Sequence, residues 1–169
     1  YREAVQNWMD QAIIANGGIL IDSHSVWLYD SRRIKNLSYA SFRGDYGKEL
    51  WLNDGAVFEN NGTFQASGAG DFRALGGSTS RFTNLGTFEK SGPGTLNVAV
   101  PFDNWGEVFV LGGTLALGGG SNFVSDGLYS GSLGAVIEFG KGLNLGPQSR
   151  VEAHNVVFRG LPNFGIVTV

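Results

Sequence analysis

The side chains in this sequence that have chemistry to offer fall into three small sets. His24 and His154 stand 130 residues apart, and Asp22 lies two before His24. Residues two apart on a strand share a face, so Asp22 and His24 have the spacing of an acid/base pair or part of a metal site. A second set comprises Asp30-Ser31-Arg32-Arg33 and Arg43-Gly44-Asp45, with Glu49 and Asp54 nearby. It has the mixture that a polysaccharide lyase or hydrolase needs, with carboxylates as general acid and base or around a calcium ion. Solvated turns between strands are the plainer account of both sets. The third set is aromatic. Trp27, Tyr29 and Trp51, with Trp105 further on, make a candidate ligand patch for a sugar or a protein if they face outward. Gly68-Ala69-Gly70 lacks the third glycine of a dinucleotide fingerprint, and residues 134–142 have the wrong spacing for a P-loop. The expectation is a chain that is not an enzyme and has no catalytic, cofactor or metal site.

Positioning falls to short elements. Runs such as Ser25-Val26-Trp27-Leu28-Tyr29, Thr95-Leu96-Asn97-Val98 and Thr114-Leu115-Ala116-Leu117 alternate with period two and are bounded by Gly, Asn, Asp or Ser. They read as strands of four to six residues. A motif recurs among them: Phe58-x-Asn60-x-Gly62-x-Phe64, Phe82-x-Asn84-x-Gly86-x-Phe88 and Phe102-x-Asn104-x-Gly106-x-Val108, at steps of 24 and 20 residues. Ile34, Asn36 and Ser38 form a degenerate upstream copy. Phe123, Asp126, Gly127 and Tyr129 form a weaker downstream one. Repeats of this length signal a solenoid. If each repeat is one coil, Asn36, Asn60, Asn84 and Asn104 stack about 4.8 Å apart. They would be joined side chain to side chain and would tolerate left-handed backbone at a corner. Gly62, Gly86 and Gly106 form a second column. Phe58, Phe82, Phe102 and Phe123 form a third, inside. A hairpin reading leaves these columns as coincidence.

Composition agrees. Glycine is 27 of 169 residues, yet 42% are hydrophobic and 12% aromatic, which a disordered chain would not match. The net charge of −3, with four lysines, gives no basic stripe, so nucleic acid is not an expected partner. There is no cysteine, and no apolar run has the length of a membrane span.

The two ends read differently. Val5, Trp8, Met9, Ala12 and Ile13 share one helical face within residues 2–15. A capping helix over 1–18 is therefore expected, ahead of a β-solenoid over 19–169. The last residues, with Phe164, Ile166, Val167 and Val169, are apolar and β-prone. Open solenoid edges invite pairing. Trp8 and Ile13 at one end, and Phe164 to Val169 at the other, are thus candidates for head-to-tail self-association or for contact with flanking domains.

Ala56 to Phe64, Phe82 to Thr95 and Gly112 to Gly120 resemble the repeats of bacterial exported β-helix proteins: autotransporter passenger regions and filamentous haemagglutinin-type adhesins. The resemblance covers about residues 50–140. The resemblance implies a right-handed parallel β-helix and a structural role outside a bacterial cell or on its surface. The repeat step itself makes about seven coils of residues 19–169, with the N-terminal capping α-helix outside the repeat. Open ends would make it a rigid, fibre-forming module; Trp27, Tyr29 and Trp51 facing outward would instead make it a carbohydrate-binding adhesin module whose partner is a polysaccharide.

Overall fold

The computed structural model describes residues 12–22, 25–44, 47–75, 79–140 and 142–160, and the backbone of 163–164. Every strand pairing is parallel, and each strand meets the one a full turn before and after it. The result is an all-β parallel β-solenoid with three faces. Face A has five strands, from Ile13–Ala15 to Phe102–Asn104. Face B has seven, from Ile19–Ile21 to Arg150–Ala153, and face C has seven, from Val26–Leu28 to Val156–Phe158. A short pair, Asn144–Leu145 with Asn163–Phe164, lies beyond face A.

Alternation along each strand sends every second residue inward, and the register stacks like on like. Phe58, Phe82 and Phe102 pair in one column, with ring centroids 5.0 and 5.4 Å apart and nearly parallel planes. On face B, Phe64 lies over Phe88 at 5.4 Å. Between the two columns the rings meet edge to face, as Phe82 and Phe88 do at 5.5 Å and 90°. Both geometries suit the ring quadrupole. These rings are wholly buried, and each contributes up to about 3 kcal/mol of burial.

The corner between faces A and B is built by the asparagines. Asn36 Nδ2 donates to Asn60 Oδ1 at 2.7 Å, Asn60 to Asn84 at 2.8 Å and Asn84 to Asn104 at 2.8 Å. Each amide also donates to a carbonyl one turn on, those of Thr63, Thr87, Glu107 and Leu128. None of the four is left-handed; positive φ among non-glycine residues falls on Asp30, Ser31 and Asp54 instead. The neighbouring glycines are required for space, not for φ. A Cβ on Gly62, Gly86 or Gly106 would lie 2.0 to 2.1 Å from a carbonyl oxygen of the preceding coil.

Three expectations change. No helix occurs among the described residues. Residues 1–11, with Trp8, lie outside them, but Ile13–Ala15 is a strand paired with Ile34–Asn36, so the solenoid already includes residues assigned to the cap. The seven strands of faces B and C are separated by six steps, giving about six turns where seven coils were expected. Phe123 does not join the phenylalanine column. The backbone N–H groups of Asn122 and Phe123 donate to Asp103 Oδ1, which draws this segment outside face A. The Phe123 ring, 49% exposed, packs 6.0 Å from Trp105 and under the Arg81 guanidinium.

Candidate functional site

Strand alternation on face C turns Trp27, Trp51 and Arg73 outward in one column and Glu49, Asp71 and Asn97 outward in the next. The aromatic set is brought together. Trp27 and Trp51 stack at 4.5 Å with planes 2° apart, and Tyr29 lies parallel to Trp27 at 5.8 Å. The Arg73 guanidinium covers Trp51, 5.6 Å from the ring centroid. Its Nε is 2.9 Å from Glu49 Oε1, and its Nη2 is 3.1 Å from Asp71 Oδ2. Trp51 Nε1 donates to Glu49 Oε2 at 2.6 Å, and Asn97 Nδ2 to Asp71 Oδ1 at 2.9 Å. Between Trp27, Trp51 and Arg73 the stack takes up ring faces that a sugar ring would use. Trp105 lies elsewhere, beside Phe123.

The carboxylates that could serve acid/base work are distributed, and Glu49, Asp71 and Glu59 are held in ion pairs. Glu49 and Asp71 share Arg73, and Glu59 takes Arg33 at 3.5 Å and Lys35 at 2.9 Å. Asp30 and Asp54 lie at the corner between faces C and A, where the Ser31 N–H donates to the Asp54 carbonyl at 2.9 Å. His24 and Asp45 lie outside the described residues. Among the described residues no three His, Cys, Asp or Glu side chains gather where they could hold a metal ion.

Three buried groups carry perturbed ionisation. Lys90 points inward from face B, in the column of Ala66 and Val110. Its ammonium donates to the carbonyls of Ser91 and Gly92 at 2.9 Å each and of Gly112 at 3.2 Å. Burial pushes its pKa down. Asp103 is fully buried under the 121–123 segment. Its Oδ1 holds two N–H groups while Oδ2 has no hydrogen-bond partner. Burial pushes its carboxyl up, against those two bonds and the Arg81 charge. Tyr129 is enclosed beside Ser125 and Asn104, its hydroxyl making no well-aligned hydrogen bond, and burial raises its pKa. The alternation Phe88-Glu89-Lys90 would have placed Lys90 inward from sequence. Asp103 carried no such signal, since an outward position becomes buried only when a later segment folds over it.

The solenoid columns end in the light. Ile13, at the end of the inward column that continues through Ile34 and Phe58, is 60% exposed. Phe158 stacks on Phe139 at 5.4 Å and is 47% exposed. Of the other expected end-contact residues, Ile166, Val167 and Val169 lie outside the described residues, and Phe164 is described in backbone alone, paired with Leu145. No family model, curated protein or solved structure matches this chain.

Proposed function

We propose that this chain is a non-catalytic structural module, a stiff β-solenoid that belongs outside a bacterial cell or on its surface and joins end to end through its open sheet edges. The observation that carries this reading is the exposed Ile13 at the mouth of an inward apolar column, on an edge strand with a ladder partner on one side among the described residues. Edge strands of this kind template further pairing, and a repeating heterologous contact builds a fibre. The unbroken asparagine ladder and the interlocked phenylalanine columns supply the stiffness such a rod needs. Negative-stain electron microscopy and sedimentation velocity across a concentration series test it. Filaments or a growing ladder of oligomers are expected, and single short rods at every concentration would overturn it.

A carbohydrate-binding module is the second reading. It is favoured by Trp27 and Tyr29 standing exposed beside the carboxylates and amide of face C. It ranks second because the ring faces are already stacked. Glycan-array binding that is lost in Trp51→Ala would move it to first place.

A further inference from the structure

Asparagine followed by glycine occurs twice in this chain, at Asn16-Gly17 and Asn61-Gly62. The solenoid sets both pairs at the same place. Ala15 pairs with Asn36 and Asn36 with Asn60, so each pair leaves face A at the same corner, one residue past the asparagine column. Asn16 and Asn61 are both exposed. What differs is the support from the coil before. The N–H groups of Asn61 and Gly62 both donate to the Asn36 carbonyl, at 2.9 and 3.1 Å. Gly86 and Gly106 are held in the same way by the carbonyls of Asn60 and Asn84. A Cβ on Gly62 would lie 2.0 Å from the Ser38 carbonyl oxygen, so this peptide is pressed against the backbone beneath it. Among the described residues the Gly17 N–H has no hydrogen-bond partner, and a Cβ on Gly17 would have nothing within 4 Å. Ile13–Ala15, just before it, is the outermost strand of face A among those residues.

An asparagine amide beside glycine has an intramolecular reaction open to it. The glycine nitrogen attacks the side-chain Cγ. An N–Cγ bond forms, the Cγ–Nδ2 bond breaks, and ammonia leaves with the proton that the backbone nitrogen gives up. Water then opens the cyclic imide at either carbonyl, giving aspartate or isoaspartate. The attack needs a backbone nitrogen free of its acceptor and a peptide able to swing toward Cγ, a freedom that glycine has because it lacks a Cβ. At Asn61 the attack would put the acyl carbon where the Gly62 N–H now meets the Asn36 oxygen. The corner must open first, and local opening inside a stack of packed coils is rare. At Gly17 neither obstacle stands among the described residues. We propose that Asn16 is a site of spontaneous deamidation, and that the preceding coil keeps the identical pair at Asn61 unreactive. The product carries a carboxylate, and in the iso form a lengthened backbone as well, one residue past the strand Ile13–Ala15. Charge at a sheet edge opposes further pairing, so the reaction guards this edge as the protein ages.

The test is to keep the folded protein in warm, mildly alkaline buffer and follow the conversion of each asparagine by peptide mapping and mass spectrometry. A parallel sample in urea gives the rates without structure, and there the two pairs should react alike. In the folded protein Asn16 should convert, and Asn61 should lag it by at least about tenfold. Gly17→Ala adds a methyl that meets no atom. It should keep the circular dichroism of the unmodified protein and slow conversion at Asn16 by about tenfold, because the methyl restricts the swing toward Cγ. Asn61 converting as fast as Asn16 in the folded protein would overturn the protection by stacking. Asn16 reacting in urea but not in the folded chain would show its peptide held, and would overturn the site. Unequal rates in urea would trace the difference to local sequence and overturn the role of the coil.

Discussion

Asn84 sits in the interior of the corner ladder, accepting from Asn60 and donating to Asn104 and to the Glu107 carbonyl. Replacing it with Ala leaves Asn104 Oδ1 buried without its donor and Asn60 Nδ2 with the Thr87 carbonyl alone. An orphaned buried polar group costs about 1–3 kcal/mol, so Asn84→Ala should cost roughly 2–4 kcal/mol in urea unfolding. Asn36→Ala, at the end of the ladder, should cost less, and equal losses would show that the asparagines act independently. Asp103 gives a residue-scale prediction in pH. Burial raises its folded-state pKa above the ordinary value of 3.8. Between 3.8 and the folded value the folded protein holds the proton that the unfolded chain has released. Its contribution to stability is therefore present at low pH and lost as pH rises through that window. Asp103→Asn keeps an oxygen for the two backbone donors and carries no charge. It should melt higher than the unmodified protein at pH 7 and match it near pH 3. Parallel melting curves across the whole range would show that the buried carboxylate costs nothing.

At the scale of elements, what was legible in the sequence was whatever stacks. Phe58, Phe82 and Phe102 and the asparagines between coils are neighbours because the chain repeats, and a fixed step in sequence becomes a fixed displacement in space. Where one residue's role depends on a non-repeating contact, that legibility ends. Phe123 keeps the spacing of the motif, but the Asp103 carboxylate outcompetes the ladder for its N–H. Ile13 fits a helical period as well as a strand, and what decides is the open edge of Ile34–Asn36 beside it. Periodicity over a few apolar residues cannot distinguish these. The glycine column was visible but its reason was not. Gly86 is required because a Cβ would meet the Gly62 carbonyl oxygen at 2.1 Å, a constraint from the neighbouring coil that no local turn rule contains. On face C the sequence offered three aromatics and an alternation. The closing of their ring faces by stacking depended on the register between coils, which sets Trp51 beside Trp27 and Arg73 beside Trp51.

At the scale of the molecule, stability should be a sum of coils and of the contacts between neighbouring coils, because each coil touches only the next. That predicts what happens when one coil is removed. Asn84 pairs with Asn104 and Thr87 with Glu107, so deleting residues 85–104 takes out one full turn and sets Trp105 where Leu85 stood. Across the new junction Phe64 meets Val108, Ala66 meets Val110 in place of Lys90, and Phe72 meets Leu117 in place of Val98. All remain inward and apolar. The shortened chain should fold, unfold cooperatively, and show a urea m-value lower by roughly an eighth, in proportion to the residues lost. Its cost in stability should come from the lost coil and from the Asp103 bonds to Asn122 and Phe123, which go with it. Deleting residues 85–94 alone removes half a turn. Every later strand would then arrive at the wrong face with its apolar side misdirected, and no folded species is expected. A globular core of interlocked elements would fail equally in both cases; a solenoid survives the first and not the second. Circular dichroism and urea titration of the two deletions therefore separate one-dimensional stacking from an ordinary core.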